Sequence, residues 1–559
     1  PGPAPAASIA APASVAPSSR SDLRWSPGRA TCFPVSDSFD AIIVGGGHNG
    51  LITAAYLSRA GWKVAVFERR PVIGGAVCTE DDRIPGYRID VGSSAHIMIH
   101  QTPVLRDLGL ERFGLEYLEM DPWGYAPAPG GEGPAIRFYK DLDRTCGSIA
   151  AVSGRDAEAY RSFVRAWKSI NEGALRAFLG EPSPWKLFRA FFGRSIEGCG
   201  RIEMLRKIFG PYGQLVDETF ESERVKAAIL WMAAQSGPPP SEIASGNFAG
   251  WQAMYHESGM KRAKGGSGAL TQALKKRILS DGGTVREDAP VARILTDAAG
   301  DKAGGIELET GERFGAKVVV AACHVKTTVE RLLADAPLPR RIREGVGKLR
   351  VGNGFGMIVR CAMDGLPGYS GENLDGGAGD CHHGLQLLCS SREEIDDAYG
   401  DFVAGRPPRR PVPLAMTFSA IDPSLAPEGK HLLFVWGQYH PYELRNGERW
   451  DDIAGREADK LLAAVDRYAP GTSDKVLDRY IQTPLEIERL HGHHRGNVMH
   501  LEMSLDQMFF FRPLPELSRY RVPSVAGLYL TGASTHPGGG VWGASGHNTA
   551  KIILKKEKP

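Results

Sequence analysis

The sequence predicts an α/β protein built on a Rossmann-type dinucleotide-binding unit, joined to a discontinuous α+β domain. Three observations carry this. An apolar run, Ala41 to Val44, leads straight into Gly45-x-Gly47-x-x-Gly50. A helical stretch, Leu51 to Ala60, follows, and a second apolar run, Lys63 to Phe67, ends on the acid Glu68. Far downstream the same language returns twice, at Gly265-Gly266-Ser267-Gly268 before a helix and at Gly538–Gly540 after a strand.

Strand, glycines, helix, strand and acid, in that order, are what a dinucleotide cradle requires. Gly45 permits the tight turn, Gly47 lets the backbone approach a pyrophosphate, and Gly50 lets the helix pack close to the strand. The helix N-terminus faces the phosphates. Glu68 stands 23 positions after Gly45 and can accept a ribose hydroxyl. His48, Asn49 and Arg69 lie in the same two turns and join the cofactor-binding set. Gly74-Gly75, followed by Ala76, marks another close backbone approach just after the acid. An NAD site rarely continues this way, whereas a flavin site often does.

Taken along the chain, residues 1–38 are rich in Ala, Pro and Ser and carry Arg20, Arg24 and Arg29. Such a segment cannot bury a core. It reads as a disordered or targeting extension: an organelle transit segment, a natural extension or a cloning remnant. Residues 39–100 form the first part of the cofactor domain. Residues 101–257 are read as mainly helical, with helices at Asp156 to Glu172 and Arg224 to Gln235, and form the first part of a substrate domain. Residues 258–330 return to the cofactor domain. They hold a helix from Ala269 to Leu279, a strand at Ala289 to Ile294, a hairpin about Thr310-Gly311 and a separate short strand, Val318 to Ala322. Residues 331–520 complete the substrate domain, with strands at Leu432 to Gln438 and Val498 to Met503 and an amphipathic helix from Asp451 to Tyr468. Residues 521–559 supply a last strand, a glycine loop and a helix from Val541 to Leu554. This closing unit is too short to fold alone and closes over a cofactor held by the first.

Bulk properties exclude several classes. Lys plus Arg exceed Asp plus Glu by only 2 in 559 residues, and no basic stripe is interleaved with aromatics, so a nucleic-acid partner is not expected. The eight cysteines are scattered and none forms Cys-x-x-Cys, which excludes a redox-disulfide flavoenzyme and suggests a reducing compartment. No apolar run approaches the roughly 18 residues of a membrane span. One stretch, Ser183 to Arg194, mixes Trp and Phe with Lys and Arg, the composition of an interfacial segment. A half-buried helix with basic residues facing solvent is the other reading.

The chain resembles the phytoene desaturase-like family of FAD-dependent oxidoreductases over nearly its whole length after residue 38. The motifs are VGGGHNGLITAAYLSRAGWKVAVFERRPVIGG, GGSGALTQAL and GLYLTGASTHPGGGVWGASGHNTA, the last being the most family-specific. Asp506-Gln507, Arg512-Pro513 and the His-rich stretch near Arg495 are similar to the branch holding the ketolases and a mitochondrial pyridine nucleotide-disulfide oxidoreductase domain-containing member. The resemblance implies the glutathione reductase/amine oxidase superfamily fold with FAD as cofactor. Gly45, Gly47 and Gly50 would cradle the pyrophosphate, Glu68 the adenosine ribose, and Gly74 and Gly75 the diphosphate and ribityl chain. Val291 would meet the adenine edge. Gly532, Ala533, Gly539 and Gly540 would flank the ribityl chain and isoalloxazine, with Val541 at the flavin edge. Related flavoproteins carry an aspartate in the late glycine motif, where this chain has Gly532-Ala533-Ser534, which leaves a polar contact by Ser534 open.

The implied reaction is hydride transfer between a lipophilic substrate, isoprenoid or polyene, and flavin, with oxygen or a quinone as acceptor. A flavin-dependent isomerase and a non-enzymic lipid carrier of the same fold are the alternatives. His536 is the catalytic candidate, against a packing role before Pro537; His96 and His100 are weaker candidates for the substrate side. Cys381-His382-His383 and His491-Gly492-His493-His494 lack structural-zinc spacing, so no metal is expected. The expected location is cytoplasmic or peripheral to a membrane, with the extension leaving organelle targeting open.

Overall fold

The computed structural model describes residues 37–192, 200–372, 379–445 and 447–559. The extension up to residue 36, and Gly193-Arg194 of the aromatic-cationic stretch, lie outside them.

In chain order, the first unit is β1 (Asp37–Val44), α1 (His48–Arg59) and β2 (Val64–Phe67). Strands β3 (Gly124–Ala126) and β4 (Ile136–Phe138) precede the long helix α2 (Gly154–Phe178) and α3 (Pro184–Phe192). Helix α4 (Ala269–Ser280) leads into β5 (Thr284–Arg286), β6 (Val291–Thr296), β7 (Ala303–Leu308) and β8 (Arg313–Ala321). Next come β9 (Gly354–Met363), β10 (Leu385–Leu387), β11 (Pro413–Met416), β12 (His431–Pro441), α5 (Trp450–Asp466) and β13 (Val476–Gln482). The chain closes with β14 (Leu528–Leu530) and α6 (Ala544–Lys556).

Two seven-stranded sheets organise these elements. The first runs β6-β7-β8-β1-β2-β5, with β14 also on β8. Strand β1 is parallel to both β2 and β8, and Ala41 to Val44 are buried, as a strand covered on both faces requires. The start of β1 at Asp37 lies two residues inside the expected extension, because Asp37 and Ser38 already pair with Phe314 and Gly315. The expected hairpin arm and separate strand after Thr310 are one strand. The first half of β8 pairs antiparallel with β7 and its second half parallel with β14, so one strand serves two neighbours on one edge. Helix α6 packs on α1: Thr53 Oγ1 donates to the Gly546 carbonyl at 3.1 Å, and Asn49 Oδ1 accepts the Gly546 N–H at 3.1 Å. The C-terminal segment is thereby fixed against the first glycine turn.

The second sheet runs β13-β9-β12-β11-β10-β3-β4. Strands β3 and β4 come from the stretch read as mainly helical; each is three residues long, too short for a period-two pattern. One sheet face packs on helices from the 154–255 region and the other on α5. The strand expected at Val498 to Met503 is not formed. Positive φ at Arg495 (56°) and His500 (65°) bends the chain, and the Asn497 side chain donates to the Val351 carbonyl and accepts the Met499 N–H instead of leaving a ladder free.

Candidate functional site

A cavity of about 650 Å³ lies along the glycine turns and opens into an apolar chamber against the second sheet. Its wall includes Gly45, Gly47, His48, Asn49, Gly50, Glu68, Arg69, Gly74, Gly75, Ala76, Val291, Gly532, Ala533, Gly539, Gly540 and Val541. Residues chosen from separated stretches of the chain therefore share one wall.

The local geometry fits an FAD pyrophosphate and ribose. Gly47 is the N-cap of α1, has no side-chain cap, and the first turn of α1 carries no acid. Its backbone donors are thus left for an anion. A Cβ placed on Gly47 meets no protein atom within 4 Å, so its missing side chain faces the cavity. Glu68, 6% exposed, accepts the Gly46 N–H at 2.7 Å through Oε2 and the Arg70 N–H at 3.0 Å through Oε1. Each carboxylate oxygen keeps a second lone pair for a ribose diol. Gly74 donates its N–H to the Gly46 carbonyl at 2.8 Å, which ties the second glycine pair to the first turn. At Val291 the carbonyl accepts Arg331 Nη2 at 3.2 Å.

The late loop is held by Arg512. Its fully buried guanidinium donates to the carbonyls of Ala533, Met499, Glu502 and Gln507, and burial pushes its pKa down to about 9. Ala533 and Met499 both line the cavity, so this one side chain sets two parts of its wall. Ser534 does not reach the cavity: its Oγ accepts the Val325 N–H at 3.1 Å and meets His500 Nδ1 at 2.9 Å.

The catalytic candidate His536 is not on the wall. It is 1% exposed, its Nε2 faces the Ala177 carbonyl at 3.3 Å, and its ring packs edge-on to Phe178. Off the wall and held against Ala177 and Phe178, His536 does not face the cavity, which supports the packing role over the catalytic expectation. His96 and His100 are also off the wall. His96 binds Tyr117 OH through Nδ1 at 2.9 Å and Ser267 Oγ through Nε2 at 2.8 Å, so both ring nitrogens are used structurally.

Two features of the wall escape sequence reading. The first is a histidine cluster. His491, His493 and His494, expected only as a polar loop, join His324 and His500 on the cavity. Ring centroids are 4.3 Å apart for His324–His494, 4.9 Å for His324–His500 and for His493–His500, and 5.3 Å for His491–His493. Burial lowers every one of their pKa values, so the cluster is a wall of neutral imidazoles near neutral pH. His324 Nε2 donates to the His500 carbonyl at 2.9 Å and its Nδ1 accepts the Lys326 N–H at 3.1 Å, which fixes its tautomer. Among the described residues, no group of three or more His, Cys, Asp or Glu side chains is arranged to hold a metal ion. The second feature is Arg360, a lone cation in the apolar run Met357 to Met363, and that isolation was its only sequence signal.

A glycine turn with an uncapped helix, a ribose acid and a closing C-terminal loop define a flavin-dependent oxidoreductase. A family model described as flavin containing amine oxidoreductase matches residues 50–363, and the chain belongs to this family; it is an FAD-dependent enzyme. It is 32% identical to pyridine nucleotide-disulfide oxidoreductase domain-containing protein 2 of Rattus norvegicus, over 93% of this chain and 94% of the relative. It is 26% identical to a neurosporene-forming phytoene desaturase of Rhodobacter capsulatus, over 93% and 94%. The similarity to phytoene desaturase-like proteins read from the motifs therefore holds across the chain. The crystal structure of an oxidoreductase from Methanosarcina mazei shares the fold, with a TM-score of 0.58 and 19% identity over 92% of this chain and all of that one (100%).

Proposed function

We propose that this enzyme takes hydride from a lipophilic substrate of the isoprenoid or polyene class and passes the electrons to oxygen or a quinone. The observation that carries this reading is the chamber beyond the glycine turns. Met232, Phe248, Trp251, Phe355, Phe434 and Trp436 all face it, and such a lining favours an apolar chain. The similarity to a phytoene desaturase supports the same substrate class.

In this reading Gly45, Gly47 and Gly50 hold the pyrophosphate and Glu68 the adenosine ribose. Gly532, Ala533, Gly539, Gly540 and Val541 border the flavin ring. FAD, when bound, would supply the hydride acceptor, and the proton lost from the neighbouring carbon on desaturation would pass to a side chain or to water. The chain orients the substrate, and its aromatic walls exclude water so that competing reactions are suppressed. Anaerobic mixing of the FAD-loaded protein with a series of polyenes and isoprenoid alkenes tests the proposal. Bleaching of the oxidised-flavin absorbance with formation of a desaturated product is expected. Bleaching by small polar amines but by no apolar compound would overturn it.

A membrane surface is the proposed source of substrate. No described helix is long and apolar enough to cross a membrane. On α3, however, Trp185 and Phe188 are 66% and 48% exposed and stack at 5.7 Å, with exposed Arg189 beside them. Helix α3 follows α2, whose end at Phe178 meets Trp542 on the cavity wall. Replacing Trp185 and Phe188 with serine is expected to lower binding to anionic liposomes at least about tenfold in a flotation assay, since two aromatic side chains are worth a few kcal/mol on burial. Unchanged flotation would remove the idea.

A further inference from the structure

Arg360 sits in the middle of β9, between β12 and β13, opposite Phe434 on one side and Tyr480 on the other. It shares its sheet face with Ile358, and both line the cavity. The residue is 1% exposed. Its Nη1 donates to Gln482 Oε1 at 2.9 Å, while its Nε–H meets no acceptor. The guanidinium carbon lies 5.3 Å from the Phe434 ring centroid and 5.8 Å from that of Tyr480. Among the described residues no carboxylate comes within ion-pair distance of it. The contrast with the other buried arginine of this region is sharp. Arg262 is paired with Asp90 at 3.2 Å, and Asp90 is further committed to Thr79 Oγ1 and the Ser267 N–H. Asp90 and Glu80 act on Arg360 only through space, from beyond ion-pair distance, and both are paired with other arginines.

A buried cation with no carboxylate in direct contact is costly, by several kcal/mol. A guanidinium is also the group best suited to grip a carboxylate or other planar oxyanion, because its donors form a rigid fork. Gln482 lines the cavity next to it and adds an amide. Its Nε2 is 3.4 Å from His491 Nε2, at the limit of a hydrogen bond. Arg360 and Gln482 thus set a polar, positively charged spot into a wall that also carries Phe434, Trp436, Ile358 and Phe355.

We propose that Arg360 and Gln482 anchor the oxyanion head of an amphiphilic substrate, a carboxylate in the first instance, whose apolar chain fills the chamber. The substrate class is then a long-chain unsaturated acid and not a neutral hydrocarbon. This rests on the reading of the chamber as a lipophilic substrate site. Arg360 would act as a specificity-determining residue. A ligand lacking the head group leaves the cation buried and unpaired, so discrimination against it is large.

The test uses the FAD-loaded enzyme and parinaric acid, a fluorescent conjugated tetraene fatty acid, beside its methyl ester. Wild-type protein is expected to bind the acid at least about tenfold more tightly than the ester, a gap set by one charge-assisted hydrogen bond. Arg360→Gln is expected to abolish that preference, and Arg360→Lys to keep part of it. Gln482→Leu, with Arg360 intact, is expected to narrow the gap. Flavin-to-protein ratio and near-UV circular dichroism report folding, and the wild-type comparison stands even if a variant does not fold. Equal binding of acid and ester by wild-type protein would overturn the anchor while leaving the lipophilic site intact. Binding of neither would overturn both. An Arg360→Gln protein that keeps the acid preference but shifts the flavin absorption spectrum would assign the guanidinium to the cofactor and overturn the anchor.

Discussion

Gly47→Ala is expected to leave the fold intact and to weaken FAD binding roughly tenfold to a hundredfold, while Gly50→Ala is expected to damage both. The two glycines lie three residues apart, and the difference is steric. A Cβ on Gly47 touches no protein atom within 4 Å, so apoprotein stability should change by no more than about 0.5 kcal/mol. That Cβ instead occupies space into which the N-terminus of α1 points, where the pyrophosphate is proposed to lie. A Cβ on Gly50 falls 2.5 Å from the Gly45 carbonyl oxygen and 2.8 Å from the Ala322 Cβ. Neither neighbour can swing aside, because one is backbone of the turn and the other follows β8. Overpacking of this kind costs about 1–3 kcal/mol, and the strain is relieved by opening the turn that holds the cofactor. Calorimetric FAD titration and thermal unfolding of both apoproteins separate the two effects. Wild-type FAD affinity in Gly47→Ala would show that the phosphates lie elsewhere.

The same contrast explains what the sequence could and could not reveal. The cofactor end was legible because its parts are local: β1, the turn, α1, β2 and Glu68 follow one another, and backbone geometry demands glycine at fixed spacing. The substrate end was not legible, because no local rule brings Arg360 from β9, Gln482 from β13 and Trp251 from the helical region to one chamber. The His491–His494 stretch was visible as a cluster, but its place on the wall depends on turns at Arg495 and His500 that non-glycine residues adopt with positive φ. The sequence of β8 reads as two pieces because its two halves have different neighbours; its length follows from tertiary pairing and not from its residues. His536 drew attention through its nearness in sequence to the glycine loop. Its enclosure comes from α2, more than 300 residues away in the chain (|i−j| = 359 for Ala177).

Acidification is expected to destabilise this protein well above the range in which carboxylates titrate. His96, His382 and His440 are all buried, at 0%, 0% and 1% exposure, and none lines the cavity, so the cofactor does not shield them. Burial lowers their pKa values from 6.5 to about 3, about 4 and about 4. Burial away from water holds each in its neutral form, and their hydrogen-bond partners are uncharged: Tyr117 OH and Ser267 Oγ for His96, Thr417 Oγ1 for His382, and the Gly437 carbonyl for His440. A lowered folded-state pKa on a base means that the unfolded chain binds the proton first. Stability is therefore complete above about pH 6.5 and falls as pH drops from there toward the folded values near 3 to 4. At pH 5 each imidazole costs about 2 kcal/mol, and the three together about 6 kcal/mol, comparable to the whole stability of many domains. Thermal unfolding of the holoenzyme followed by circular dichroism should show Tm falling on the order of 10 °C between pH 7 and pH 5. Replacing His440 with glutamine should flatten the slope by the share of one group. A Tm that stays level across that interval would mean that these imidazoles take up protons in the folded state, and that the packing around them admits water more readily than their burial implies.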